Sequence, residues 1–156
     1  MILRWQPGRE VIDRLLQESR LTRVAANRAL AEDYLRQARQ HLVSAQELHA
    51  SDPEGAFQLA YDAARKALAA ILVNQGLRAS GEGSHVTIHQ AVSAQLGPSH
   101  ESLIGQFGWI RRVRNTTEYP AAGEKPADER DVTDALPASS SIVRTAETLL
   151  DHMPKY

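Results

Sequence analysis

The residues best suited to chemistry lie in one stretch, 105–120, which reads Gly-Gln-Phe-Gly-Trp-Ile-Arg-Arg-Val-Arg-Asn-Thr-Thr-Glu-Tyr-Pro. Leu103, Phe107 and Ile110 recur at helical spacing and form one apolar stripe. Four residues after Ile110, on the same stripe, stands Arg114. A guanidinium at a position patterned for the core must be paired or must face a cleft, because burying a bare charge is costly. Its planar fork of donors matches the oxygens of a phosphate. Arg111 and Arg112 extend a basic rim around the helix, and Trp109 and Tyr119 offer rings on which a base can stack. A plainer reading competes with this one. Arg114 can pair with Glu118 one turn on, and Trp109 can pack against a neighbouring helix. Tyr119-Pro120 ends the helix, since the residue before proline avoids the α region. A planar cation, the amide of Asn115 and a phenol therefore gather at one helix end.

Other chemistries find less support. His85 and His89 are four apart on one helix face, a spacing that can hold a metal, but no third ligand accompanies them and cysteine is absent. The run His85-Val86-Thr87-Ile88-His89 also lacks the glutamate of a zinc-protease helix. No metal and no cofactor are assigned. The loop with Gly81 and Gly83 has no Gly-Lys-Ser/Thr and follows no strand, so it reads as a flexible connector rather than a phosphate cradle. Asp62 and Arg65 read as a structural pair, in preference to the alternative that they face a cleft with Arg114.

The elements that must position these groups are helices. The chain has 156 residues, 42% of them hydrophobic and 24% charged, enough for one sizeable core. A net charge of -1 gives no global pull towards nucleic acid or membrane, so any phosphate binding must be local. Residues 1–24 read as an arm, with Trp5 as its anchor, followed by a short peripheral helix over 10–21. Residues 25–151 read as the main bundle. A first long helix is expected over 24–50, and a second, apolar on two faces, over 54–75. Asp52-Pro53 caps the second and Gly76 ends it, which makes the two an antiparallel hairpin. Ser84 is placed as the cap of a helix over 85–96, Ser99 as the cap of a helix over 100–118, and Asp128 as the cap of a last helix reaching 151. Pro137 should kink or split that last helix. No segment alternates at enough length to argue for a strand. The N-terminus lacks an apolar signal core and no run has membrane-spanning length, so a cytoplasmic location without membrane contact is expected.

The run Arg114-Asn115-Thr116-Thr117-Glu118-Tyr119 resembles the motif of the HEPN family (higher eukaryote and prokaryote nucleotide-binding domains), with Tyr119 where that motif has its histidine. The resemblance extends to Tyr34-Leu-Arg-Gln-Ala on the first long helix, to Ala60-Tyr-Asp-Ala-Ala-Arg-Lys-Ala-Leu on the second, and to His85 opening the third. It implies an all-α, up-and-down helical bundle with a short N-terminal helix and a kinked C-terminal one. It also implies a homodimer in which two arginine motifs face a shared groove. The implied ligand is RNA or a nucleotide. The implied activity is metal-independent cleavage of RNA, in which a 2′-hydroxyl attacks the adjacent phosphate, as in a toxin-like ribonuclease. Arg114, Asn115 and Tyr119 would be the catalytic set, with Arg111, Arg112 and Trp109 contacting nucleic acid. Tyrosine, with a pKa near about 10, is a poor base at neutral pH. His85 is the residue to replace the missing histidine. Ala121 stands where a second branch of the family carries a modified tyrosine, so that regulation is not carried over. The other reading is a non-catalytic, antitoxin-like or scaffold module whose partner is another protein, such as a genomic neighbour's product. The first reading predicts an open, positive groove with Arg114 and Tyr119 exposed. The second predicts Arg114 sealed by a carboxylate.

Overall fold

The computed structural model describes residues 4–156, apart from the side chain of Pro98. Residues 1–3 of the expected arm lie outside the described residues. The described residues form six helices in the order α1 (Arg9–Gln17), α2 (Arg28–Leu48), α3 (Pro53–Gln75), α4 (Ser84–Leu96), α5 (Glu101–Glu118) and α6 (Glu129–Leu150). Two short strands, β1 (Leu21–Arg23) and β2 (Leu77–Ala79), and a 3-10 turn (Gly97–His100) complete it. The fold is an all-α bundle.

α3 is the central helix. Ala56, Ala60, Ala63, Ala64, Ala67 and Ala70 are each fully buried along it. Alanine brings no side-chain bulk, so α3 lies close to α2 on one side and α6 on the other, its two most extensive neighbours. Phe57, Tyr61, Leu68 and Ile71 fill the remaining space towards α4 and α5. Asp52 accepts a hydrogen bond from the Gly55 amide at 3.0 Å and Pro53 occupies the first turn, as expected of this start. Gly76 ends α3 in the left-handed region at φ 88, and a Cβ there would meet the Val24 carbonyl oxygen at 2.9 Å. Ser139 of α6 donates to the Ala60 carbonyl at 2.8 Å, which ties α6 to α3 inside the core.

Several local expectations are corrected. The chain does contain strands: β1 and β2 pair antiparallel, with Leu21 opposite Ala79 and Leu77 opposite Arg23. Three residues per strand are too few to show alternation. The helix expected over 24–50 begins four residues late, at Arg28, where Asn27 caps it by accepting from the Leu30 amide. The first helix stops at Gln17, and Ser19 turns left-handed at φ 58 to feed β1. Ser84 does not cap α4, because Gly83 takes that position at φ 79. Ser99 does not cap α5; its hydroxyl donates to the Leu96 carbonyl within the 3-10 turn. Pro137 lies inside α6 without splitting it. The proline removes one hydrogen bond, that to the Thr133 carbonyl, and points to solvent.

The ends of the helices are held by polar groups. Asp128 and Asp131 form a reciprocal capping box at the start of α6. Thr117, in the last turn of α5, donates to the Val113 carbonyl at 2.9 Å and accepts from the Ala127 amide at 2.8 Å. One hydroxyl thus fastens the end of α5 to the approach of α6. The amides of Gln75 and Gln95 are buried and exchange two hydrogen bonds, of 2.7 and 2.9 Å. Trp5 packs partly buried against the core, and its backbone amide donates to the Lys155 carbonyl at 3.1 Å.

The glutamine pair generates a test. Gln95→Leu leaves the Gln75 amide buried without its partner and should cost about 1–3 kcal/mol. Adding Gln75→Leu removes the orphaned group and should recover part of that loss. Urea midpoints of the three proteins, compared at constant slope, check both steps.

Candidate functional site

The end of α5, the start of α4 and the loops beside them enclose an open cleft of about 660 Å³. Gly81, Glu82, Gly83, Ser84 and His85 form one wall. Arg114, Asn115, Thr116 and Tyr119 form the other, with Ala121 and Glu124 beyond them. Of the residues singled out from the sequence, Arg114, Asn115, Tyr119 and His85 therefore meet at one place. Arg111, Arg112 and Trp109 do not line it.

Arg114 is half-buried, and the reason lies in Tyr61. Its guanidinium carbon sits 5.1 Å from the centre of the Tyr61 ring, a cation–π contact. Tyr61 is only 1% accessible and stacks on Phe107 with ring centres 6.1 Å apart and planes at 16°. The apolar stripe of α5 thus runs out onto an aromatic face, and an arginine can satisfy the pattern there. Arg114 Nε donates to Gln58 Oε1 at 3.2 Å and Nη1 donates to Asn115 Oδ1 at 3.3 Å. Among the described residues Arg114 forms no ion pair, so the expected bridge to Glu118 is not made. Nη2 makes no hydrogen bond among the described residues.

His85 is tied to the same ring. Its Nδ1 lies 2.8 Å from the Tyr61 hydroxyl. Burial, then the nearby charges of Arg114, Arg65 and Arg111, hold the imidazole below its usual value of 6.5, against the opposing pull of Asp62. His85 is neutral at pH 7. Burial likewise raises the Tyr61 phenol against the pull of Arg114, Arg65 and Arg111, so it stays protonated. Two tautomers satisfy the bond between them. If Tyr61 donates, the other ring nitrogen of His85 carries the proton and is a donor. If Tyr61 accepts, that nitrogen has a free lone pair and is a base.

Tyr119 ends α5 and is 72% exposed on the cleft rim. Its amide donates to the Asn115 carbonyl at 2.8 Å, closing the last turn of α5. Trp109 packs its edge against Phe57 with centres 5.9 Å apart, the plainer of its two expected uses. Arg112 turns towards His89 across Gly108, and His89 meets the edge of Phe107. Arg111 acts on the cleft only through its charge. His85 and His89 thus part company, one facing Tyr61 and the other Phe107.

The expected groove is open but not positive. Glu82 on one wall and Glu124 beyond the other offset the charge of Arg114. Outside the cleft lining, Asp62 gathers Arg65 at 2.6 Å, His41 at 3.2 Å and Lys66 at 3.5 Å. Burial pushes the Asp62 carboxyl up, but the Arg65 hydrogen bond and the charges of Arg65, Lys66 and His41 outweigh it and hold it below its usual value. This is the structural pair expected of Asp62 and Arg65, enlarged by two more cationic groups. Tyr61 and Gln58 were the functional neighbours that sequence reasoning missed. Both sit on the buried helix, where Tyr61 reads as core, and the only signal was their position one turn apart on the face that receives Arg114.

A family model described as the HEPN domain matches residues 31–149, from the first turn of α2 to the last turn of α6. No curated protein and no solved structure matches the chain.

The electrostatics of His85 can be checked without any ligand. Its midpoint, followed by NMR of the ring protons, should lie below 6.5. It should rise in Arg114→Gln, because removing a neighbouring cation favours the imidazolium. The sign for stability follows: a depressed histidine pKa means the unfolded chain takes up a proton first, so stability falls as pH drops below about 6.5. An unmoved midpoint in Arg114→Gln would contradict the assigned contact.

Proposed function

The chain belongs to the HEPN family, and from that premise we propose that it binds RNA or a nucleotide in the cleft at the end of α5, with Arg114 as the phosphate contact. The observation that carries this reading is the state of Arg114. It is oriented by Gln58, Asn115 and the Tyr61 ring, has no carboxylate partner among the described residues, and opens onto a cleft. A planar donor group held this way costs little reorganisation when a phosphate arrives.

The same arrangement supports metal-independent cleavage. A ribose 2′-hydroxyl would attack the adjacent phosphate, forming the 2′,3′-cyclic phosphate as the bond to the 5′-oxygen breaks; Arg114 would meet the added negative charge, and the departing 5′-oxygen would take a proton from solvent. His85, neutral at pH 7 and in the tautomer with Tyr61 accepting, takes the hydroxyl proton. Tyr119 stacks on a base or donates to a phosphate oxygen, and Asn115 steadies the guanidinium. Two copies facing one another would extend the cleft into a shared groove, so a homodimer in sedimentation velocity belongs to this proposal. Glu82 and Glu124 limit it: they repel a long phosphate backbone, so the contact is confined to one or two phosphates. They also favour a second reading, in which a basic surface of a partner protein occupies the cleft and no RNA is cut.

Incubation with several RNAs in EDTA separates these. Cleavage leaving 2′,3′-cyclic phosphate ends is expected, reduced about a hundredfold or more by Arg114→Ala. Loss in His85→Ala assigns the base, and loss in Tyr119→Phe gives the phenol a part. RNA affinity should fall with salt at a logarithmic slope of only about -0.7 to -1.4, the value for one or two phosphates on a single strand. Glu124→Gln should tighten binding. Absence of both cleavage and RNA binding in the wild-type protein would sink this reading and leave the protein-partner one.

A further inference from the structure

A second cavity lies on the other side of Ser84, the one residue that it shares with the Arg114 cleft. It is smaller, about 250 Å³, and more enclosed, set between α2, α3, β2 and the first turns of α4. Its floor is apolar: Leu72, Val73, Leu77 and Ile88 are all buried core residues that leave a face to it. Its charged lining is entirely cationic, consisting of Arg65, Lys66 and Arg78. Asp62 is the carboxylate that neutralises Arg65 and Lys66 together. Three cations less one carboxylate leave an excess of about two positive charges around this space.

Several of its polar groups also lack protein partners. Asp62 takes Nε and Nη2 of Arg65, and Nη1 has no hydrogen bond among the described residues. Arg78 makes no ion pair among them and is exposed at the mouth. The hydroxyls of Tyr34 and Ser84, which also line the cavity, likewise have no partner among the described residues. Apolar depth, unpaired donors and an excess of positive charge are the features of a ligand site rather than a packing fault.

We propose that this cavity binds a small amphipathic organic anion, a carboxylate with a short alkyl or aryl body. The body lies on Leu72, Leu77 and Ile88, and the carboxylate meets Arg65 Nη1 and Arg78, with Tyr34 or Ser84 donating. The volume sets the size. It is below the range of roughly 300–1,000 Å³ usual for drug-sized ligands, so the occupant is a short chain or a single ring. The cavity does not depend on any activity at the Arg114 cleft.

The test is a titration of the full chain with hexanoate and benzoate, followed by backbone and methyl NMR, with hexanamide and benzamide as neutral controls. Saturable shifts at Leu72, Leu77, Ala79 and Ile88 are expected. The amides should bind roughly tenfold more weakly or worse, having lost a charge-assisted contact. Arg78→Gln, a change at an exposed position, should weaken the acids and leave the amides unchanged. Ala69→Leu, which fills the cavity from α3, should abolish binding of both while the amide spectrum shows a folded protein. The proposal is overturned if no saturable shift appears at millimolar acid, if acids and amides bind alike, if folded Ala69→Leu binds as the wild type does, or if the shifts map to Arg114 and Tyr119 alone. Should Ala69→Leu not fold, the acid-to-amide ratio and Arg78→Gln decide.

Discussion

The guanidinium of Arg114 rests on the face of Tyr61, and most of the cleft follows from that contact. Tyr61 belongs to two environments at once. Its ring is core, stacked on Phe107 and packed in the alanine-rich centre of the bundle. Its hydroxyl reaches His85 at the cleft wall. A single side chain on α3 therefore fixes the arginine of α5 and the histidine of α4 relative to one another. Two loop-free anchors, one aromatic and one hydrogen-bonded, do what a charged partner would otherwise do. Because neither is a carboxylate, the positive charge of Arg114 remains uncompensated at short range and stays available to an anion.

The wider charge distribution sharpens this. Net charge is near zero, and three of the cationic groups near the cleft are drawn to one carboxylate. Arg65, Lys66 and His41 converge on Asp62, outside the cleft lining, while Glu82 and Glu124 are part of that lining. Among the described residues Arg114 is the one cation that lines the cleft. Its field, with those of Arg65 and Arg111, keeps His85 unprotonated after burial has already disfavoured the charged form. The arrangement leaves a neutral imidazole beside a fixed cation.

Much of this was legible in the sequence, unevenly. Helical periodicity located α3 almost to the residue, because alanine and leucine recur on two faces and Asp52-Pro53 and Gly76 mark its ends. Asp128 announced α6 in the same way. The strands were illegible, since their order comes from pairing across more than fifty residues and each is only three long. Ser84 and Gly83 competed for one cap, and the backbone's left-handed turn chose glycine. At the site, Arg114 stood out because a cation interrupted an apolar pattern. Tyr61 did not stand out, because an aromatic residue continued one. The periodicity that reveals a core residue also conceals any second use of it.

Thr117 has one further implication. Its hydroxyl closes the segment from the end of α5 to Ala127 into a short loop that carries Tyr119 at its start and Glu124 near its middle. Those two side chains flank the cleft from a tether rather than from a free arm. Most of the chain entropy that a long connection would lose on gripping a ligand is already spent on folding. The rim can change rotamers within nanoseconds, yet it cannot swing away from Arg114 without first giving up a bond at the foot of a helix.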